Sequence, residues 1–363
     1  MATQTVNYQC PNCMGPLHFS GDTGKLQCDY CGGSYEPAEI EALYQKKEEA
    51  AAQAFAQQPE QDAAAQEGGW SEPGMHAYSC PSCGAELVCD ETTAATQCPY
   101  CGNPSVVPGQ FSGMLKPDYI IPFKLEKDAA VSALKKYYKG KKFLPKAFSA
   151  ENHITELQGI YVPFWLYDGS AQGGISMDAT TSRTWTEGDY EITETDHYAV
   201  HREGHVDFQR IPADGSTKMP DQHMDSIEPF DYSALEPFST AYLPGFLAEK
   251  YDISAKECAP RVKERMESTL LGLLEDTVTG YTGKTIVGQQ IHTGSPTAKY
   301  ALLPVWMLHT RWKDKDYLFA MNGQTGRLIG DLPVSAGKFL AWLAGISLPL
   351  MALATVIMYF YLA

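Results

Sequence analysis

Basic side chains are scarce where the cysteines are dense. Residues 1 to 110 hold 3 Lys and Arg against 14 Asp and Glu, and only Lys25 lies between Cys10 and Cys31. No basic residue lies between Cys80 and Cys101. Nucleic-acid modules neutralise phosphates with Lys and Arg, so this lack turns the cysteine-rich region away from a polyanion and toward protein partners. Nothing in Met1 to Cys10 has the charged and apolar regions of a secretory signal, so the thiols are expected in a reducing compartment. The run from Gly280 to Thr285 resembles a phosphate loop but has Val278 where the first glycine is required, which excludes nucleotide binding there. The last 25 residues contain no charge at all.

What is present is a repeat. Cys10-x2-Cys13-x14-Cys28-x2-Cys31 recurs as Cys80-x2-Cys83-x14-Cys98-x2-Cys101, offset by 70 residues with unchanged internal spacing. A Cys-x-x-Cys turn offers two thiolates to one ion, and a second turn across a hairpin completes a sulfur tetrahedron. Leu17 and Phe19 flank a turn at Gly21, Asp22, Thr23 and Gly24, and the chain then returns to Cys28. Four ligands close the shell, so both sites are expected to hold structural Zn2+ with no open position for catalysis. Cys89 aligns with Phe19 and is read as a small apolar strand residue. Cys258 has no nucleophile context and is read as buried packing.

Phe339 to Leu362 is long enough, as a helix, to cross a bilayer once. Trp342 near one end and Tyr359 and Tyr361 near the other stand where interfacial aromatics belong. Arg327 and Lys338 precede the span and nothing basic follows it. Together with reduced thiols, this predicts a single-pass protein of the cytoplasmic membrane with its N-terminal domains in the cytoplasm.

The expected class is multi-domain α+β. A first zinc ribbon spans 1–36, a helical Ala/Gln/Glu-rich linker 37–76, a second ribbon 77–108, an α+β body 109–336 with a possible split near 240, and a membrane anchor 337–363. In the body, Asp128 to Lys142 reads as a basic amphipathic helix with Val131, Leu134 and Tyr138 on one face. Residues 111 to 150 hold 9 Lys and Arg against 3 Asp and Glu, so a solvated face, lipid headgroups and nucleic acid are all open to this segment. Tyr161 to Trp165 is expected as a strand ending at Asp168-Gly169, and its phrase recurs as Ile121-Pro122-Phe123 and Leu303-Pro304-Val305-Trp306. Proline in these runs points to strand starts or edges. Ser254 and Glu257 have capping-box spacing ahead of a helix carrying Val262, Met266, Leu270, Leu271 and Leu274. His197, His201 and His205 share one face of a predicted strand, as an ordinary polar surface or a metal or pH-sensing cluster.

The four knuckles Cys10-Pro11-Asn12-Cys13, Cys28-Asp29-Tyr30-Cys31, Cys80-Pro81-Ser82-Cys83 and Cys98-Pro99-Tyr100-Cys101 are followed by the phrases Asp225 to Phe230 and Asn322 to Gly326 and by the apolar C-terminus. In these features the chain resembles the bacterial YdjG-like membrane proteins with TFIIB-type zinc ribbons. The resemblance implies a non-enzymatic scaffold at the membrane, with partners among SPFH-type and phage-shock envelope-stress proteins. The alternative is a membrane-tethered nucleic-acid binder that uses the basic helix at 128–146.

Overall fold

The computed structural model describes residues 8–13, 15–55, 75–79, 86–90, 93–97, 104–106, 115–145, 148, 157–313 and 315–362. Cys80, Cys83, Cys98 and Cys101 lie outside them, so the second cysteine set has no structural account. The fold is mixed α+β, with a small cysteine-rich sheet at the N-terminus, one large sheet, and an apolar helix at the C-terminus.

Strands β1 (Leu17–Ser20), β2 (Lys25–Cys28) and β3 (Ser34–Tyr35) form the small sheet, with Leu17 opposite Cys28. The hairpin turn falls on Gly21 to Gly24 as the sequence predicts, and Gly24 takes a positive φ of 67° that only glycine adopts freely. A helix, Pro37–Phe55, follows. β4 (Met75–Ser79) pairs with β5 (Glu86–Asp90), which places Cys89 on a strand opposite His76. β6 (Thr93–Gln97) pairs with β7 (Pro104–Val106) and joins the large sheet rather than the β4–β5 pair.

The large sheet is completed by β8 (Tyr119–Ile120), β9 (Gln158–Glu187), β10 (Tyr190–Asp214), β11 (Glu236–Pro237), β12 (Leu247–Glu249), β13 (Gly283–Thr293), β14 (Thr297–Trp312), β15 (Lys315–Asn322) and β16 (Leu328–Gly330). β9 is its axis. It pairs with β14 over its first part, with β13 further along, and with β10 along most of its length. β12 also pairs with β9, so strands on both sides of residue 240 share one sheet, and the split expected there is not a boundary in it.

β9 does not stop at Asp168-Gly169 as the sequence reading expects. The glycines that look like a turn are there for close approach. A Cβ on Gly169 would lie 2.7 Å from the Met266 side chain, and one on Gly173 would lie 2.2 Å from the Gln290 carbonyl oxygen. The prolines are also internal rather than at strand ends. Residue N–H and C=O groups point to the same side of a strand, and the carbonyls of Pro163 and Pro304 accept from Gly215 N at 2.9 Å and Gly323 N at 2.8 Å. On that side β9 changes partner from β12 at Tyr161 to β10 at Phe164, and β14 changes from β8 at Leu302 to β15 at Val305. Each missing donor therefore falls in the gap between two successive partners, where a ladder bond is not needed.

The basic helix runs Lys127–Tyr138 and buries Ala130, Leu134 and Tyr138. It ends short of Lys142, with Gly140 at φ 87°. The long helix Ala255–Asp276 starts at the predicted capping box, with Ser254 and Glu257 satisfying each other's amides. Its stripe Val262, Met266, Leu270 and Leu274 is buried against β9, β10 and β13, and Gly204 on β10 leaves room for Leu274. On the small sheet's side of the core, Phe123 stacks on Phe246 with centroids 4.0 Å apart and meets Tyr161 and Trp306 edge-on. The final helix, Ala336–Leu362, contains a 23-residue stretch, Ala336–Met358, of mean hydropathy 2.0 with none of its window buried. It is long and apolar enough to span a membrane.

Candidate metal centre

The thiols of Cys10 and Cys13 stand on the turn before β1, Cys28 is the last residue of β2 and Cys31 stands on the turn after it, so the β1–β2 hairpin brings the two pairs together. The four sulfurs all lie within 4.8 Å of one another. Cys10 Sγ is 3.5 Å from Cys31 Sγ, and Cys13 Sγ is 3.4 Å from Cys28 Sγ. A tetrahedron with metal–sulfur bonds of about 2.3 Å has edges of about 3.8 Å, so this set fits one ion with small adjustments. Both separations exceed a disulfide bond of about 2.05 Å, and the described cysteines are free.

Local backbone bonds hold the two turns. Cys10 N donates to Gly15 O at 2.7 Å, Cys28 N to Gly33 O at 2.9 Å, and Gly32 N to Cys28 O at 2.9 Å. Gly32 takes φ 69°, which closes the second turn under the sulfurs. Cys10 and Cys28 face the core, and Cys13 and Cys31 face solvent. Burial raises the Cys10 thiol, but hydrogen bonds from the Tyr35 hydroxyl and the Asn12 and Cys13 amides outweigh it and bring the thiol down to about 6. The Gly15 amide lowers Cys13, but its neighbour Cys28, with burial and the other two cysteines, pushes it up to about 12. Tyr35 is raised to about 12, first through its bond to Cys10. Four crowded thiols thus cannot all ionise unaided, and a divalent cation in their centre is what would stabilise the full thiolate set.

The module is fixed to the body. Phe19 N donates to Pro244 O at 2.9 Å and Ser20 Oγ to Glu126 at 3.0 Å, and the helix that follows the module is tied in as well, with Ser239 Oγ donating to Glu41 at 2.7 Å. Phe19 meets Tyr242 edge-on at 5.2 Å. A Cβ on Gly21 would sit 2.5 Å from the Phe123 carbonyl oxygen, so the hairpin turn touches the body's backbone directly.

The other predicted positions have simpler roles. Cys258 is buried, its thiol donating to Asp214 O at 3.5 Å and pushed up to about 11 by burial. Gly280 to Thr282 bend into β13, and Gly283 to Thr285 are its first three residues rather than part of a turn. His197, His201 and His205 lie on β10, and His201 bonds Glu203 and His205 bonds Asp207, each at 3.0 Å. His201 and His205 are four strand residues, about 13 Å, apart and cannot share an ion. Across the sheet His205, Gln172 and His292 stand in one row, and they line a shallow polar groove floored by Gly174. Among the described residues, the thiols are the one set of His, Cys, Asp and Glu side chains close enough to hold a metal.

The uncharacterized protein YdjG of Bacillus subtilis (strain 168) is 36% identical to this chain over 342 residues, 94% of either protein. The chain belongs to the YdjG family. No family model matches it, and no solved structure matches it significantly.

Asp225 to Phe230 and Asn322 to Gly326, far apart in sequence, meet in space. Asn322 is fully buried, and its Nδ2 donates to Ile227 O at 3.0 Å and Pro229 O at 3.3 Å. Its Oδ1 accepts from the amides of Gln324 and Thr325, both at 2.9 Å. Gln324 in turn pairs with the backbone of Asp231 through both side-chain atoms. Beside them lies a charged cluster that sequence reasoning misses. Arg261 pairs with Asp214, Asp221 and Asp225, and Arg265 pairs with Asp225 and Glu228. Arg261 and Arg265 are four apart on one helix, and that spacing opposite the acidic Asp221 to Glu228 stretch is the signal available beforehand.

Burial raises the Asp214 carboxyl from the ordinary 3.8 to about 6, against the opposing pull of Arg261. Between those values the folded state holds a proton that the unfolded chain has released. Asp214 therefore contributes stability that is full below about pH 4 and is lost as pH rises through about 6, a change of up to about 3 kcal/mol at about 1.4 kcal/mol per pH unit. Glu228 is raised by burial too and acts with the same sign. Urea unfolding between pH 4.5 and 7 is expected to show this fall in wild type and a flatter profile in Asp214→Asn. Parallel profiles would contradict it.

Proposed function

We propose that the protein is a non-enzymatic, membrane-anchored adaptor in which Cys10, Cys13, Cys28 and Cys31, and in the second copy Cys80, Cys83, Cys98 and Cys101, hold two structural zinc ions in TFIIB-type ribbons. Ala336–Leu362 is the anchor, and the ribbons face the cytoplasm, where thiols stay reduced. The ribbons recruit protein partners, with SPFH-type and phage-shock membrane proteins first in order from the resemblance.

The observation that carries this reading is the surface of the first cysteine module. Its metal-side turn exposes Asp29 and Tyr30, and Tyr30 is 78% exposed. The module beneath is fixed to the body by hydrogen bonds from several directions. An exposed tyrosine on a rigid, acidic support is what a protein interface uses as an anchor, since it brings large contact area at little entropic cost.

The test is affinity capture from membranes with wild type, Tyr30→Ala and a Cys80→Ala/Cys83→Ala pair. Tyr30→Ala is expected to keep its metal and weaken partner binding by roughly 30-fold, the effect of losing about 2 kcal/mol at an interface anchor. The cysteine pair is expected to lose the partners that depend on the second ribbon. An unchanged partner set in both variants would overturn the adaptor reading.

A further inference from the structure

Where the final helix leaves the body, it is clasped by the segment that follows the basic helix. Ser335 N donates to Phe143 O at 2.9 Å, and Lys338 Nζ donates to Leu144 O at 2.6 Å. Phe143 packs edge-on against Phe339 at 5.8 Å and Trp342 at 6.3 Å. Lys142 Nζ lies over the Trp342 ring, 4.2 Å from its centroid, and Lys141 Nζ over Tyr137 at 4.7 Å.

The helix behind this clasp is equally fixed, with the Tyr137 hydroxyl donating to Gly330 O at 3.1 Å and Tyr138 packing on Phe319 at 5.6 Å. Lys135, Lys136, Lys139, Lys141 and Lys142 are therefore held in place around the start of the apolar helix, and all five are exposed. Lys135 and Lys136 sit about one turn, or about 5 Å, behind Lys139. No acidic residue occurs from Ala129 to Ala150. Among the described residues none of the five has an ion-pair partner, although the chain as a whole carries a charge of −16.

We infer that this lysine face binds anionic phospholipid headgroups at the membrane surface, and the inference rests on the anchoring proposed above. Trp342 belongs at headgroup depth, and Lys142 touches it, so the Lys142 ammonium lies within a Debye length, about 8 Å, of the lipid phosphates. A free polyanion has no such built-in proximity and must also approach an acidic body. The contact gives the body a defined tilt on the bilayer instead of leaving it to swing on one helix.

The test is amine labelling, read by mass spectrometry, of the full chain reconstituted in phosphatidylcholine liposomes with or without about 30% phosphatidylserine. Lys139, Lys141 and Lys142 are expected to react about fivefold more slowly in the anionic liposomes, the factor for about 1 kcal/mol per engaged lysine. About 0.5 M salt is expected to restore their reactivity. Equal reactivity in both liposomes, from protein that stays with them through a carbonate wash, would overturn the inference and leave the anchor standing. Protein stripped from both by the wash would overturn the anchor and the inference together. Slowing at every exposed lysine alike, or protection by duplex DNA as strong as that by anionic lipid, would also overturn it.

Discussion

Cys31→Ala is expected to remove one bound metal ion from the chain and to abolish hydrogen-exchange protection of the β1–β3 amides. Cys31 is exposed, so its truncation removes a ligand without opening a hole in the core. The three strands are of four, four and two residues, too short to hold a sheet by themselves. A structural zinc site supplies roughly 10 to 16 kcal/mol in small zinc peptides, so an ion bound by these four thiols is expected to supply a large part of the local stability. The contacts to Pro244, Glu126 and Tyr242 then have no folded partner, and the face of the body around Phe123 and Phe246 becomes accessible. Cys258→Ser is the control: it alters a buried thiol of ordinary packing and is expected to leave the metal content unchanged. Retained metal and retained β1–β3 protection in Cys31→Ala would contradict the proposed role of the site.

The second large effect is expected at Asn322. Asn322→Leu keeps the side chain's volume but leaves the carbonyls of Ile227 and Pro229 and the amides of Gln324 and Thr325 without the partner they have now. Each buried group left unsatisfied costs about 1 to 3 kcal/mol, and with these four near the low end of that range the substitution is expected to remove about 4 to 6 kcal/mol. That is a large part of the 5 to 15 kcal/mol typical of a whole domain. Gln324→Ala, which breaks two hydrogen bonds at a slightly more exposed position, is expected to cost less. Urea unfolding followed by tryptophan fluorescence gives both values. A loss below about 1 kcal/mol for Asn322→Leu would show that the two phrases are not locked through this amide.

These two sites differ in how far the sequence exposes them. The first thiol set is legible because metal ligation demands fixed spacings, and the Gly21 to Gly24 turn, the capping box at Ser254 and Glu257, and the uncharged C-terminal helix follow from equally local rules. The length of β9 is not legible, because Gly169 and Gly173 are the residues of a turn by propensity and the residues of a tight contact in the fold. Only the positions of Met266 and Gln290, about a hundred residues away in the chain, distinguish the two. Pro163 and Pro304 are hidden in the same way, since a proline inside a strand needs a point where no ladder donor is required, and here a change of partner strand supplies it. The Asn322 amide and the Arg261 and Arg265 cluster depend on pairs of segments that meet only after the sheet has formed. Asp225 to Phe230 and Asn322 to Gly326 form both halves of that contact, but nothing local says that they touch.

The account depends most on an ion held by Cys10, Cys13, Cys28 and Cys31. Native mass spectrometry of the full chain purified without chelator, combined with thiol titration, addresses it directly. The prediction is two zinc ions per chain with the eight repeat cysteines shielded from alkylation, and one zinc ion in Cys31→Ala. A chain free of metal, with Cys10, Cys13, Cys28 and Cys31 all reacting as ordinary thiols while β1–β3 stay folded, would contradict it.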